Sequence, residues 1–191
     1  GTDEAWNLPE CRRLGHTHDL TPTQATWNVN GLINFEGDAS NLVFDGFVID
    51  GHTRQVYKPN GDMTLGVGSS APLIRVLAPG VKIRNCLLMN GYHGIRIQVA
   101  DDAEVSNCIL LNLIDRAVDF EIGNGKGILR NNTIGFVWTS GTVEGYGLTI
   151  GSAIKVAAEN NVFMFANKVG INSGFQNDDV KLVNNLFFNN Q

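Results

Sequence analysis

The chain says nearly the same thing twice. "VKIRNCLLMNG" (81–91) and "AEVSNCILLNL" (103–113) share an apolar approach, an Asn-Cys pair and an apolar exit. From Asn85 to Asn107 the step is 107 − 85 = 22. Repetition at this period constrains a chain more than composition does, because each copy must bury its apolar residues against its neighbours. Further copies are found on the same alignment. Asp45-Gly46, Asn131-Asn132, Asn160-Asn161 and Asn184-Asn185 fill the slot, which therefore falls at positions 45, 85, 107, 131, 160 and 184.

Each copy predicts three short strands. Before the bend, apolar residues alternate, as in Val81 and Ile83 or Val180 and Leu182, which marks one buried face. After the bend come pairs such as Leu87-Leu88, Ile109-Leu110 and Leu186-Phe187. The bend itself is Asn, Asp or Gly, the residue types that accept a left-handed backbone. Upstream of each bend, at a near-constant interval, stands a third strand: "LINFE", "LIRVL", "GIRIQ", "AVDFE", "GLTIG" and "GINSG".

Three strands in each repeat of roughly 22–24 residues, about six times over, predict an all-β parallel β-helix solenoid. Its handedness is expected to be right, by the crossover rule for parallel strands. Asn85, Asn107, Asn131, Asn160 and Asn184 are then expected to form a structural ladder. Cys86 and Cys108 should stack as buried free thiols, because parallel side chains make poor disulfide geometry. The β-helix is assigned to 31–191 and residues 1–30 to an N-terminal extension or cap. The last coil, Leu186 to Phe188, is apolar. It is expected to be incomplete at its C-terminal end, covered by a further segment or by another chain.

Composition excludes some functions. A net charge of −5 and few basic residues argue against nucleic acid. No apolar run approaches the roughly 18–20 residues that a spanning helix needs, so no membrane span is expected. His16 and His18 in "GHTHD" lack neighbouring ligands and read as solvated, and the three cysteines fit no metal pattern.

Candidate chemistry follows from period 2. With Ile74, Ile95, Val118, Leu148 and Ile171 pointing inward, Asn34, Arg75, Arg96, Asp119, Thr149 and Asn172 point out. Glu36, Leu77, Gln98 and Glu121 form a second outward column, and His93, Arg116 and Tyr146 stand at the strand entry. Two longer segments, 52–70 and 136–147, are expected to flank this face. Arg75, Arg96, Asp119, Glu121, Arg116 and Tyr146 are the candidate substrate-binding residues, with Tyr146 available to stack on a ring. Arg96, His93 and Lys58 are the candidate catalytic groups. No cofactor is expected, and Ca²⁺ at Asp119 and Glu121 would have only two carboxylates against its usual six to eight ligands.

The repeat resembles the right-handed parallel β-helix, pectate-lyase-like superfamily, through the recurring Asn131-Asn132, Asn160-Asn161 and Asn184-Asn185 pairs and the coil period. That resemblance implies an extracellular or cell-surface protein recognising a glycan, with an acidic polysaccharide as a candidate. If it is an enzyme, it implies a polysaccharide lyase or glycoside hydrolase. "GYHG" (91–94) is similar to the Gly-His-Gly of polygalacturonases, but the paired aspartates of that family are not on the neighbouring coils. The alternative is a non-catalytic structural or adhesive segment of a larger surface assembly.

Overall fold

The computed structural model describes residues 31–37, 39–51, 55–57, 63–65, 72–99, 101–121, 125–138, 145–151, 154–174 and 179–190. The N-terminal extension (1–30), Cys11, the His16/His18 pair and Lys58 lie outside them.

Three parallel six-stranded sheets form the walls of a coil. The first sheet runs β1 (Ile33–Phe35), β6 (Pro72–Val76), β9 (His93–Ile97), β12 (Arg116–Phe120), β15 (Tyr146–Ile150), β18 (Val169–Ser173). The second holds β2 (Val43–Asp45), β7 (Lys82–Arg84), β10 (Ala103–Ser106), β13 (Lys126–Arg130), β16 (Lys155–Glu159) and β19 (Val180–Val183). The third holds β3 (Val48–Asp50), β8 (Leu87–Met89), β11 (Ile109–Ile114), β14 (Thr133–Trp138), β17 (Val162–Ala166) and β20 (Leu186–Phe188). Within 52–70, β4 (Gln55–Tyr57) and β5 (Met63–Leu65) pair antiparallel, so the long insertion carries a hairpin.

Registry stacks like on like. Ile74, Ile95, Val118 and Leu148 form one buried column, and Leu88, Leu110, Ile134 and Phe163 another. Each is at most 1% exposed, so a side chain buried in one coil finds its neighbours one strand spacing away, above and below. The last coil leaves Leu182, Leu186, Phe187 and Phe188 about half exposed.

The first bend departs from the sequence alignment. Asp45 pairs with Arg84 and Val48 with Leu87, which puts Gly46, not Asp45, opposite Asn85. Gly46 has φ 81° and donates its N–H to Arg84 O, as Asn85 and Asn107 donate to the next coil. The first step therefore starts at position 46 and is one shorter than the alignment on Asp45 implies. A glycine takes the left-handed bend at no steric cost, so the conformation selects Gly46 over the adjacent Asp45.

The ladder also divides its work between two residues. Asn85, Asn107, Asn131, Asn160 and Asn184 have φ between 51° and 56° and are exposed; they turn the chain. The next residues do most of the bonding. Asn132 Oδ1 accepts from Cys108 N (2.8 Å), Asn161 Oδ1 from Asn132 N (3.0 Å), and Asn185 Oδ1 from Asn161 N (2.9 Å). Their amide groups donate to Val105, Leu129 and Ala158 carbonyls. Cys86 and Cys108 occupy this same inward slot in earlier coils, as buried free thiols bonding Arg84 O and Ser106 O. The thiol contact with Cys86, together with burial, holds the Cys108 thiol above its ordinary range.

A second left-handed corner lies five residues on, at Asn90, Asn112, Phe136, Phe165 and Asn189. Asn90, Asn112 and Trp138 bond in series there (Asn112 Nδ2 to Asn90 Oδ1 2.6 Å; Trp138 Nε1 to Asn112 Oδ1 3.0 Å). Where Asn gives way to Phe136 and Phe165, the rings stack at 4.9 Å, an aromatic contact that offsets the strain of a bulky residue at positive φ.

Candidate functional site

The outward column of the first sheet is as expected: Asn34, Arg75, Arg96, Asp119, Thr149 and Asn172 stand in register. His93, Arg116 and Tyr146 align beside it. Both long insertions, 52–70 and 136–147, connect a strand of the third sheet to one of the first, at the same corner of the coil.

What the side chains do differs from a row of open cations. Arg96 makes a two-point contact with Glu121, Nε to Oε2 at 2.9 Å and Nη2 to Oε1. Gln98 donates to Glu121 Oε2 (2.8 Å) and accepts from Arg75 Nε (2.5 Å). Arg75 Nη1 also lies 3.9 Å from Glu36. The result is a relay, Glu36–Arg75–Gln98–Glu121–Arg96, spanning four coils. Burial pushes the Glu121 carboxyl up, but Arg96 and Gln98 outweigh it and its pKa is lowered.

Asp119 points outward by register yet is 1% exposed. Arg116, three residues earlier, lies against it with Nη1 2.8 Å from Oδ2. Burial raises the Asp119 pKa in spite of that guanidinium. Tyr146 is also buried, with Lys168 Nζ 5.6 Å from its ring centroid, so it offers no open face for a sugar. His93 is buried with Nε2 3.5 Å from Asp115 Oδ2, while its Nδ1 has no partner. Burial lowers its pKa to about 4 against the pull of Asp115, so the ring is neutral at pH 7.

Chemically, this face presents fixed donors and acceptors. Three arginines (Arg75, Arg96, Arg116) meet four carboxylates (Glu36, Asp115, Asp119, Glu121), so positive charge is matched in place. Arg96 is held as a paired guanidinium, the opposite of a general base. Asp119 and Glu121 both spend oxygens on arginines. Among the described residues, no group of three or more His, Cys, Asp or Glu side chains converges where a metal ion would sit.

Sequence reasoning missed a second charged cluster, on the second sheet. Glu104 is 6% exposed and is bonded by Ser106 Oγ (2.7 Å), Arg84 Nη2 (3.1 Å) and Arg130 Nη2 (2.9 Å). Burial works against its charge, but these three partners win and its pKa falls to about 2. The signal was available in the register Arg84–Ser106–Arg130 beside Glu104. It ties three coils together.

A family model described as the right-handed beta helix region matches residues 73–191. The chain belongs to the right-handed β-helix family. Its three parallel sheets agree with that membership coil by coil. No curated protein and no solved structure matches this β-helix.

Proposed function

We propose that this β-helix is a non-catalytic, extracellular or cell-surface glycan-recognition protein whose binding face is the first sheet. The observation that carries the reading is the relay through Arg75, Gln98, Glu121 and Arg96. Its members are half-buried and hold one another in place, so little side-chain entropy remains to be lost when a ligand arrives. Remaining lone pairs and N–H groups face outward from a flat, rigid sheet. That mixture of donors and acceptors suits hydroxyl groups. A uronate carboxylate would have to compete with Glu121 or Glu36 for an arginine, so hydroxyl-rich neutral glycans are favoured over polyuronates.

A second reading, a structural or adhesive scaffold, is favoured by the pairing of the arginines with carboxylates. The two separate in a calorimetric titration of neutral glycans, polygalacturonate and alginate against wild type, Arg96→Ala and Gln98→Ala. Glycan recognition expects a neutral glycan to bind with little salt dependence and to lose about 1.5–3 kcal/mol in Arg96→Ala. Silence across the whole panel would leave the scaffold reading.

A further inference from the structure

The three outer faces of the coil are unlike one another. The first sheet carries the charged relay. The second carries Lys82, Glu104, Arg130, Lys155 and Lys181. The third is apolar outside as well as inside. Its outward column reads Val48, Leu87, Ile109, Thr133, Val162 and Leu186. Val48 is 68% exposed, Ile109 44% and Leu186 58%. A second outward column adds Met89, Leu111 and Met164, with Met164 lying over Gly135, where a Cβ would come within 2.7 Å of its Cγ. Asp50, on the first strand, is the one charged residue among the described strands of this sheet.

We propose that this face is a self-association surface: a second copy of the chain packs its own third sheet against it. Three features select that occupant. Charge comes first. Each copy carries −5, and two copies meet with least repulsion through the wall that has almost no charge. At physiological salt the charges of the other two walls are screened beyond about 8 Å. Shape comes second. A face whose residue classes repeat coil after coil is self-complementary, and flat sheets pack about 10 Å apart with aligned strands. Area comes third. Six strands at about 4.8 Å spacing span roughly 24 Å, and three to five residues at about 3.3 Å span roughly 10–17 Å. The patch therefore covers about 250–400 Å² in plan, under the roughly 800 Å² per partner of a standard interface. Such a patch fits a weak, reversible dimer, and a net-negative protein without a basic rim on this wall is poorly matched to an anionic membrane.

Sedimentation equilibrium of the chain from about 1 to 300 µM tests this. A monomer–dimer equilibrium is expected, with Ile109→Lys and Val162→Lys each weakening it at least tenfold and Lys181→Ser leaving it unchanged. Because a lysine could disturb folding, each variant is checked by circular dichroism. Amide hydrogen exchange of wild type at low and high concentration supplies a variant-free measurement, with added protection expected at β8, β11 and β14. A monomer throughout the range overturns the proposal. So does a dimer that Phe187→Ser breaks and Ile109→Lys does not, since that contact would lie at the coil end. Preferential binding to neutral phospholipid vesicles with no dimer overturns it as well.

Discussion

His93 gives the sharpest test of how the first sheet is built. The ring is buried, its Nδ1 has no partner, and its pKa is about 4 against 6.5 in the unfolded chain. A depressed histidine opposes folding in acid. Between pH 6.5 and 4 the unfolded chain takes up a proton that the folded protein refuses, so stability is fully present above pH 6.5 and falls as pH drops towards 4. A fall in pKa of that size is worth roughly 3 kcal/mol in full, of which about 2 kcal/mol is gone at pH 5. His93→Gln removes this proton while keeping a polar side chain beside Asp115. Urea unfolding of both proteins at half-unit steps from pH 7.5 to 4.5 isolates the effect, because the other titrating groups are common to both. The difference in unfolding free energy should shift by about 2 kcal/mol in favour of the variant between pH 7 and pH 5. Parallel curves would refute the reasoning and show that His93 titrates as it does in water.

Three further outcomes are expected. Glu104→Gln should cost about 2 kcal/mol at pH 7, since two guanidiniums lose their shared carboxylate. Because the Glu104 pKa is depressed to about 2, its contribution is present above pH 4.5 and lost as pH falls through 2, so the variant and wild type should converge in acid denaturation. Asn161→Ala should cost about 2–4 kcal/mol in urea unfolding, because it orphans the Asn132 N–H and the Leu129 carbonyl. By contrast, Asn160→Gly at the adjacent exposed bend should lie within about 0.5 kcal/mol of wild type. In a Cys11→Ser background, the native protein should resist alkylation and react at Cys86 and Cys108 only when unfolded; rapid labelling in buffer would mean the thiols are not core residues.

The coil itself was legible because its signal is periodic. Buried columns demand like residues at one interval, and that demand is written into Ile74, Ile95, Val118 and Leu148 before any coordinates are known. The outward column from Arg75 to Asp119 followed from the same registry. The bend at Gly46 was misplaced by one position because Asp45 and Gly46 both suit a turn by type, and only pairing with Arg84 and Leu87 decides which one turns. The sequence also announced paired asparagines without saying which of each pair is buried. That follows from the left-handed φ of the first, which swings the second inward onto free backbone groups.

Side-chain partnership was beyond sequence reading altogether. Period 2 says that Arg96 and Asp119 point away from the core, but not that Glu121 holds the first or that Arg116 covers the second. Those choices rest on rotamers and on distances of a few tenths of an ångström between neighbouring coils. A one-dimensional pattern carries direction and interval, which fix the stack. Electrostatic matching depends on where long, flexible side chains end, and only the assembled stack determines that.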